Sequence, residues 1–263
     1  MNGARRAWVE YETIHALVYF ADEPAARFAE LGLKGWWMGY FASRAAPLGA
    51  VEPAVVTATF HGFAPSMVER ALPDAWAIAT PDAVLAARFD GVGAALHRVL
   101  GGLDVSAAAA AARAAVETSA VAGRPLFAAH AALTWPDEPR LALWHACTLL
   151  REHRGDGHVS VLTSHGIDGA MSQVLQVERG VAAKADLMRT RGWTDDDWAA
   201  AEQRVADCDC TAAVRELMEE RTDALAVGDD ALADLLAPIA ARVRAAGDIR
   251  FPNPIGLPER ATG

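Results

Sequence analysis

Long apolar runs are missing. No stretch of the 263 residues approaches the roughly 20 consecutive apolar residues that a membrane-spanning helix needs. The opening segment, Met1 to Arg6, carries charge with no apolar core behind it, so a secretory leader is not expected. Positive charge is also in deficit: 24 Lys plus Arg face 34 Asp plus Glu, a net of −10. Nucleic acids and anionic membrane surfaces both demand a basic face, so both are disfavoured as partners. Cysteine is scarce. The three residues, Cys147, Cys208 and Cys210, fit a reducing cytoplasm. Cys208-x-Cys210 is too tightly spaced for a zinc pair and has no second pair to complete a site. There is no Gly-x-Ser-x-Gly elbow, no glycine loop with lysine to cradle phosphate, and no dinucleotide fingerprint. No cofactor is therefore expected.

What is present is helix-forming sequence. Apolar residues make up 52% and charged residues 22%, and alanine is used heavily. Apolar groups recur at helical spacing over residues 8 to 22, with His15 and Tyr19 four apart on one face. A second helix is expected over Trp36 to Ala46, stopped by Pro47-Leu48-Gly49. Val51 to Phe60 reads as a helix led by Pro53, although its β-branched residues also suit a strand. Pro65 opens a short helix, and Thr80-Pro81-Asp82 opens one that runs to about Leu100. Residues 104 to 120 are helical on alanine content. A central helix is expected from about Glu138 to His153, with another starting near Gly157. Thr194 is an N-cap backed by Asp195, Asp196 and Asp197. Helices over Thr211 to Ala226 and Asp229 to Ala246 close the chain before an extended, proline-rich tail.

The fold class is all-α. A weak internal match at about 130 residues suggests two pseudo-symmetric helical halves. It sets His15-Ala16 over His145-Ala146, Gly32 and Gly35 over Gly166 and Gly169, and Phe63-Ala64-Pro65 over Trp193-Thr194-Asp195. The division expected is an N-terminal helical half (1–103), an alanine-rich helix and linker (104–137), and a C-terminal half (138–263). That second half carries a degenerate winged-helix-like region, and a crevice is expected between the halves.

Chemistry concentrates in Trp144 to His158. His145, Glu152 and Asp156 are seven and four apart, roughly one helical face, and Gly155 and Gly157 would let His153, Asp156 and His158 converge. A carboxylate beside a histidine is the common form of a general acid or base near neutral pH. The catalytic candidates are therefore His145, Glu152, His153, Asp156 and His158. His15, Tyr19, Trp37, Arg44, Trp144 and Arg151 are the substrate-binding candidates, with Arg44 or Arg151 clamping an anionic group. The same histidines and aspartate match no established metal-ligand spacing, so no metal is expected. His61, His97 and His130 lack convergent neighbours and read as structural.

Leu33-x-Gly35-x-Trp37-Met38-Gly39-Tyr40-Phe41-Ala42-x-Arg44-Ala45-Ala46-Pro47-Leu48-Gly49 resembles the actinobacterial SalK-like proteins. So do Ala71-Leu72-Pro73-Asp74-Ala75-Trp76, the run from Leu143 through His158, Arg191-Gly192-Trp193 and Asn253-Pro254. The resemblance runs over nearly the whole chain. It implies a helix-turn-helix-labelled protein, with the label resting on residues 185 to 225, and a setting in specialised metabolism. Two features depart from it. The wing that should follow the Trp193–Trp198 helix is shortened to Asp207-Cys208-Asp209-Cys210. Residues 185 to 235 also hold five arginines against fourteen acids, a net of −9. A recognition helix opening on three aspartates meets repulsion from every nearby phosphate. The expected function is a cytoplasmic, cofactor-independent enzyme of natural-product biosynthesis, performing an acid/base-assisted elimination, cyclisation or displacement on a small molecule. The alternatives are a ligand-responsive helix-turn-helix regulator, or a non-catalytic partner subunit. A homodimer or a biosynthetic partner protein is the macromolecular association expected; DNA and membrane are not.

Overall fold

One helix, Pro139–Ser164, runs through both hydrophobic cores of the computed structural model, which describes residues 2–208, 212–251, 253 and 255–258. Its 26 residues span roughly 39 Å at about 1.5 Å per residue. In chain order the helices are α1 (Gly3–His15), α2 (Leu17–Phe20), α3 (Asp22–Glu30), α4 (Gly35–Ala45), α5 (Pro53–Thr59), α6 (Pro65–Glu69), α7 (Asp74–Ile78) and α8 (Pro81–Leu100). They continue as α9 (Ser106–Glu117), α10 (Pro125–Ala131), α11 (Pro139–Ser164), α12 (Gly169–Glu178), α13 (Lys184–Arg191), α14 (Asp195–Asp207), α15 (Ala212–Leu225) and α16 (Asp230–Ala246). Among the described residues there is no strand, and no helix is long and apolar enough to cross a membrane.

The local signals act where the sequence places them. Pro53, Pro65 and Pro81 sit in the first turns of α5, α6 and α8, where a missing N–H costs nothing. Thr194 caps α14 reciprocally: its hydroxyl accepts the Asp197 N–H, and the Asp197 carboxylate accepts the Thr194 N–H. Gly192 (φ 81°) ends α13 in the left-handed region that favours glycine. The described part of the tail, Phe251 to Pro258, is non-helical, with Leu257 buried; Pro252 and Pro254 lie outside the described residues, as do Asp209 and Cys210 of the expected shortened wing and Thr211, the expected start of the next helix. Cys208 is disulfide-bonded, and Cys147 is free and buried.

Two expectations are corrected. The segment 8–22 is not one helix: α1 ends at His15, and α2 and α3 follow with turns at Ala16 and Ala21. Residues 154 to 157 are not a loop. Gly155 and Gly157 are helical, and α11 passes straight through them. Packing of α11 against α9, α10 and α15 outweighs the roughly 1 kcal/mol per glycine that helix propensity opposes. At Gly157 the missing side chain admits the Arg124 guanidinium, which would stand 2.7 Å from a Cβ.

The larger core gathers α1, α4, α8, α9, α16 and the first half of α11 around Trp144, Phe41, Leu96 and Ile14. The smaller is built by Val161 and Leu162 of α11 with α12, α13 and α14, around Trp198. The two segments that the internal match pairs lie against each other. Ala64 N–H donates to the Arg191 carbonyl (2.8 Å), and Trp193 Nε1–H to the Gly62 carbonyl (3.1 Å).

Candidate functional site

Because α11 is continuous, the histidines and carboxylates expected to converge are spread along it. Thirteen residues separate His145 from His158, roughly 20 Å along the axis. His145, Glu152 and Asp156 do share a face, as their spacing implies, while Arg151 and His158 lie on the opposite one. His145 sits in an aromatic nook, edge-on to Trp135 at 4.8 Å and tilted to Phe89 at 5.9 Å, and burial followed by Arg88 lowers its pKa to about 4. His153 packs edge-on to Phe127 (4.9 Å), lowered to about 4 by burial and then Arg124. Asp156 accepts the Phe127 N–H at 2.9 Å; burial raises its pKa to about 6 despite that bond. Each therefore occupies its own pocket of packing. The convergence of His153, Asp156 and His158 expected from the glycines does not form.

Glu152 has a different partner from the one expected. It is fully buried and orients arginines rather than a histidine. Arg44 Nε and Nη2 donate to its two oxygens at 3.0 and 2.9 Å, and Arg151 Nη1 donates at 2.8 Å. Burial raises the Glu152 pKa, but the two guanidinium groups win and hold it well below the usual carboxylate range. Arg151 also donates to buried Glu12 at 3.2 Å. Among the other binding candidates, His15 is wholly buried. Thr148 gives its hydroxyl proton to the Trp144 carbonyl, so it accepts from His15 Nδ1 at 2.9 Å. By elimination His15 Nε2 accepts the Tyr19 hydroxyl at 3.1 Å. Trp144 stacks on His15 and donates its indole N–H to the His15 carbonyl. Tyr19 lines an apolar hollow of about 260 Å³ with Phe28, Trp36 and Tyr40. Trp37 is half-buried against Phe41 and Phe63.

The arginine pair opens onto a crevice between the two cores. One part, about 170 Å³, is lined by Tyr40, Arg44, His61, Arg151, His158, Ser172, Gln173 and Arg191, among others. A second part, about 250 Å³, shares His158, Leu162, Ser172, Gln176 and Ile255 and adds Arg5, Trp8, Arg154, Arg179 and Glu219. Six arginines thus line a crevice in a chain of net charge −10, with Glu219 the one acid among the lining residues described. Apart from Glu219, the counter-charges stand behind the wall. Glu152 and Glu12 hold Arg44 and Arg151, Asp223 accepts from Arg154 at 3.2 Å, and Glu219 pairs with Arg5 and, at 2.6 Å, with Arg179. Arg191 lies over the Phe63 ring (4.4 Å) and engages the Tyr40 hydroxyl. Such planar cations, fixed by internal carboxylates and still facing a cavity, suit recognition of a carboxylate or phosphate.

The crevice's proton-carrying groups are His61, His158 and Tyr40. His158 Nδ1 meets Thr222 Oγ1 at 3.1 Å; that hydroxyl donates to the Met218 carbonyl, so Nδ1 carries the hydrogen and Nε2 accepts. Burial, then Arg154, lowers the His158 pKa to about 4, so it is neutral at pH 7. Gln173 is buried; its NH₂ donates to Ser172 Oγ at 2.9 Å, and its carbonyl oxygen finds no donor among the described residues.

Of the site candidates, Arg44, Arg151 and His158 meet at this crevice, with Glu152 directly behind. His15, Tyr19, Trp37, Trp144, His145, His153 and Asp156 are not among its lining residues. Sequence reasoning missed Arg5, Tyr40, His61, Gln173, Arg154, Arg179 and Arg191. They come from α1, α4, the α5–α6 turn, α11, α12 and the end of α13, and no sequence spacing links them. The one bulk signal is the choice of arginine over lysine: Lys34 and Lys184 are the only lysines in the chain. No group of three or more His, Cys, Asp or Glu placed to hold a metal occurs among the described residues.

A family model described as a helix-turn-helix family matches residues 4–250. No curated protein and no solved structure matches the chain.

Proposed function

The chain belongs to this helix-turn-helix family, and from that premise we propose that it binds an anionic small molecule in the crevice between its two cores and acts on it as a cofactor-independent enzyme. The observation that carries this is the six-arginine lining in an acidic protein. Arg44 is buried and Arg151, Arg154 and Arg191 are partly buried; a guanidinium group withdrawn from water is expensive to keep unless it meets an anion, and internal carboxylates account for only part of the hydrogen-bonding capacity here. In this reading Arg44 and Arg151 keep the clamp role expected of them, and the helix-turn-helix unit is a wall of the site. The acid/base chemistry moves to the groups that line the crevice. The finer resemblance, to SalK-like proteins of specialised metabolism, is in keeping with a small-molecule substrate.

The acidic face of α14 speaks against groove binding. Asp195, Asp196, Asp197 and Glu202 are exposed on it, and its arginine, Arg204, pairs with Asp168 at 2.9 Å. A regulator is nevertheless the second reading, favoured by one contact. Arg191, at the crevice, is the last residue of α13, immediately before the turn into α14, so ligand and helix-turn-helix share a residue. Calorimetric titration with inorganic phosphate tests the site. Binding that weakens at least tenfold in both Arg44→Gln and Arg191→Gln is expected, and no binding to the wild type rejects it. A gel shift on random-sequence duplex at low salt separates the readings; retardation that salt reverses would favour the regulator.

A further inference from the structure

We propose that Tyr40 is the acid–base group of the crevice, exchanging a proton with a bound anion that also carries a hydroxyl or amine donor. This rests on the reading of the crevice as an anion site and adds what happens there. Tyr40 lies on α4 one turn before Arg44, so the two side chains share a face, and Arg44 Nη1 donates to the Tyr40 hydroxyl oxygen at 3.2 Å. Arg191 engages the same oxygen from α13, and Arg151 approaches from α11. The facing charges are thus Arg44, Arg151 and Arg191, opposed by Glu152; the remaining neighbours are Tyr19 and the rings of Trp36, Trp37, Phe41, Phe60 and Phe63. The phenol is 4% exposed yet lines the cavity, which shields it from bulk water but not from a ligand.

Burial alone raises a phenol's pKa. Here three guanidinium groups outweigh it, and the Tyr40 pKa falls below the ordinary value near 10. The other two tyrosines move the opposite way, burial pushing Tyr19 up to about 12 and Tyr11 higher still. The transfer balances simply. The phenolate oxygen takes one proton from the ligand and becomes the neutral phenol, and the electron pair stays on the ligand, where Arg44 and Arg191 face the new charge. Reversal returns the proton. The ligand class follows from the wall. Guanidinium groups take its carboxylate or phosphate, and the buried Gln173 carbonyl, without a donor among the described residues, accepts from its hydroxyl or amine.

With three tyrosines in the chain, ultraviolet difference absorbance resolves the event directly. The folded wild type should form one equivalent of tyrosinate below pH 10, and Tyr40→Phe should lose that equivalent. Arg191→Gln, a surrogate should Tyr40→Phe misfold, should shift the midpoint upward by about one pH unit, a tenfold change in proton affinity. Saturating inorganic phosphate should also raise the midpoint, because an anion beside the arginines disfavours a second negative charge. Absence of tyrosinate below pH 10, or its survival in Tyr40→Phe, overturns the assignment. A Tyr40 titration that phosphate leaves unmoved would support the phenol assignment while rejecting the anion site on which the proposed function stands.

Discussion

Replacing Glu152 by Gln isolates the electrostatics that hold the crevice together. The substitution keeps the shape, so Arg44 and Arg151 stay in place while the carboxylate that neutralises both disappears. Glu152 is wholly buried and Arg44 nearly so, so the attraction is little screened. Removing one partner of a buried pair costs about 3–5 kcal/mol, because the remaining charge is left uncompensated. Access of water from the crevice places the cost toward the lower end. A chain of this length loses about 2–4 °C of melting temperature per kcal/mol, so Glu152→Gln should melt about 6–15 °C lower by differential scanning calorimetry at pH 7. The pH dependence is fixed in sign. The folded pKa of Glu152 lies below its unfolded value, so its contribution is complete above the unfolded value near 4.3 and fades as the pH falls through the lower folded value. The gap between variant and wild type should hold from pH 6 to 8 and narrow below pH 4. Inorganic phosphate should also bind the variant more tightly than the wild type, since Arg44 has lost its internal anion and Arg151 keeps only Glu12. Ligand at about a hundred times its Kd returns roughly 2.7 kcal/mol, enough to recover most of the lost melting temperature. A fall under about 3 °C, or phosphate affinity unchanged, would refute the claim that Glu152 neutralises a ligand-facing pair.

Three further outcomes are expected. Asp156 has a folded pKa raised to about 6, so its stabilising contribution is present at low pH and lost as the pH rises from about 4 through 6; Asp156→Asn should therefore melt higher than wild type at pH 8 and equal to it near pH 4. Gly169→Ala places a Cβ 2.1 Å from the His61 carbonyl oxygen, a backbone atom that cannot swing away. Over-packing of this kind costs about 1–3 kcal/mol and should move α12 off the crevice wall, lowering phosphate affinity in the calorimeter. Trp198→Ala empties the smaller core, at about 3–5 kcal/mol; hydrogen exchange should lose protection in α12, α13 and α14 while amides of α1 and α16 keep theirs, and uniform loss would show that the two cores do not melt separately.

The all-helical class and most helix ends are legible in the order of residues alone. Propensity, capping and proline placement act within a turn or two, so Thr80-Pro81, Pro65, Thr194 and Gly192 can be read without knowing what surrounds them. Arg44, Arg151 and His158, which line the crevice, were also candidates on sequence alone, because charge set in apolar sequence is visible locally. Tertiary structure decided everything that acts through space. Gly155 and Gly157 look like a break by propensity, yet packing on α9, α10 and α15 carries α11 across them, and that continuity alone parts His145 and His153 from His158. The crevice likewise exists only once α1, α4, α11, α12 and α13 are brought together. Arg5, Tyr40, Gln173 and Arg191 share no spacing along the chain, and only the folded neighbourhood, with Glu152 charged behind the wall, sets which of their protons can move.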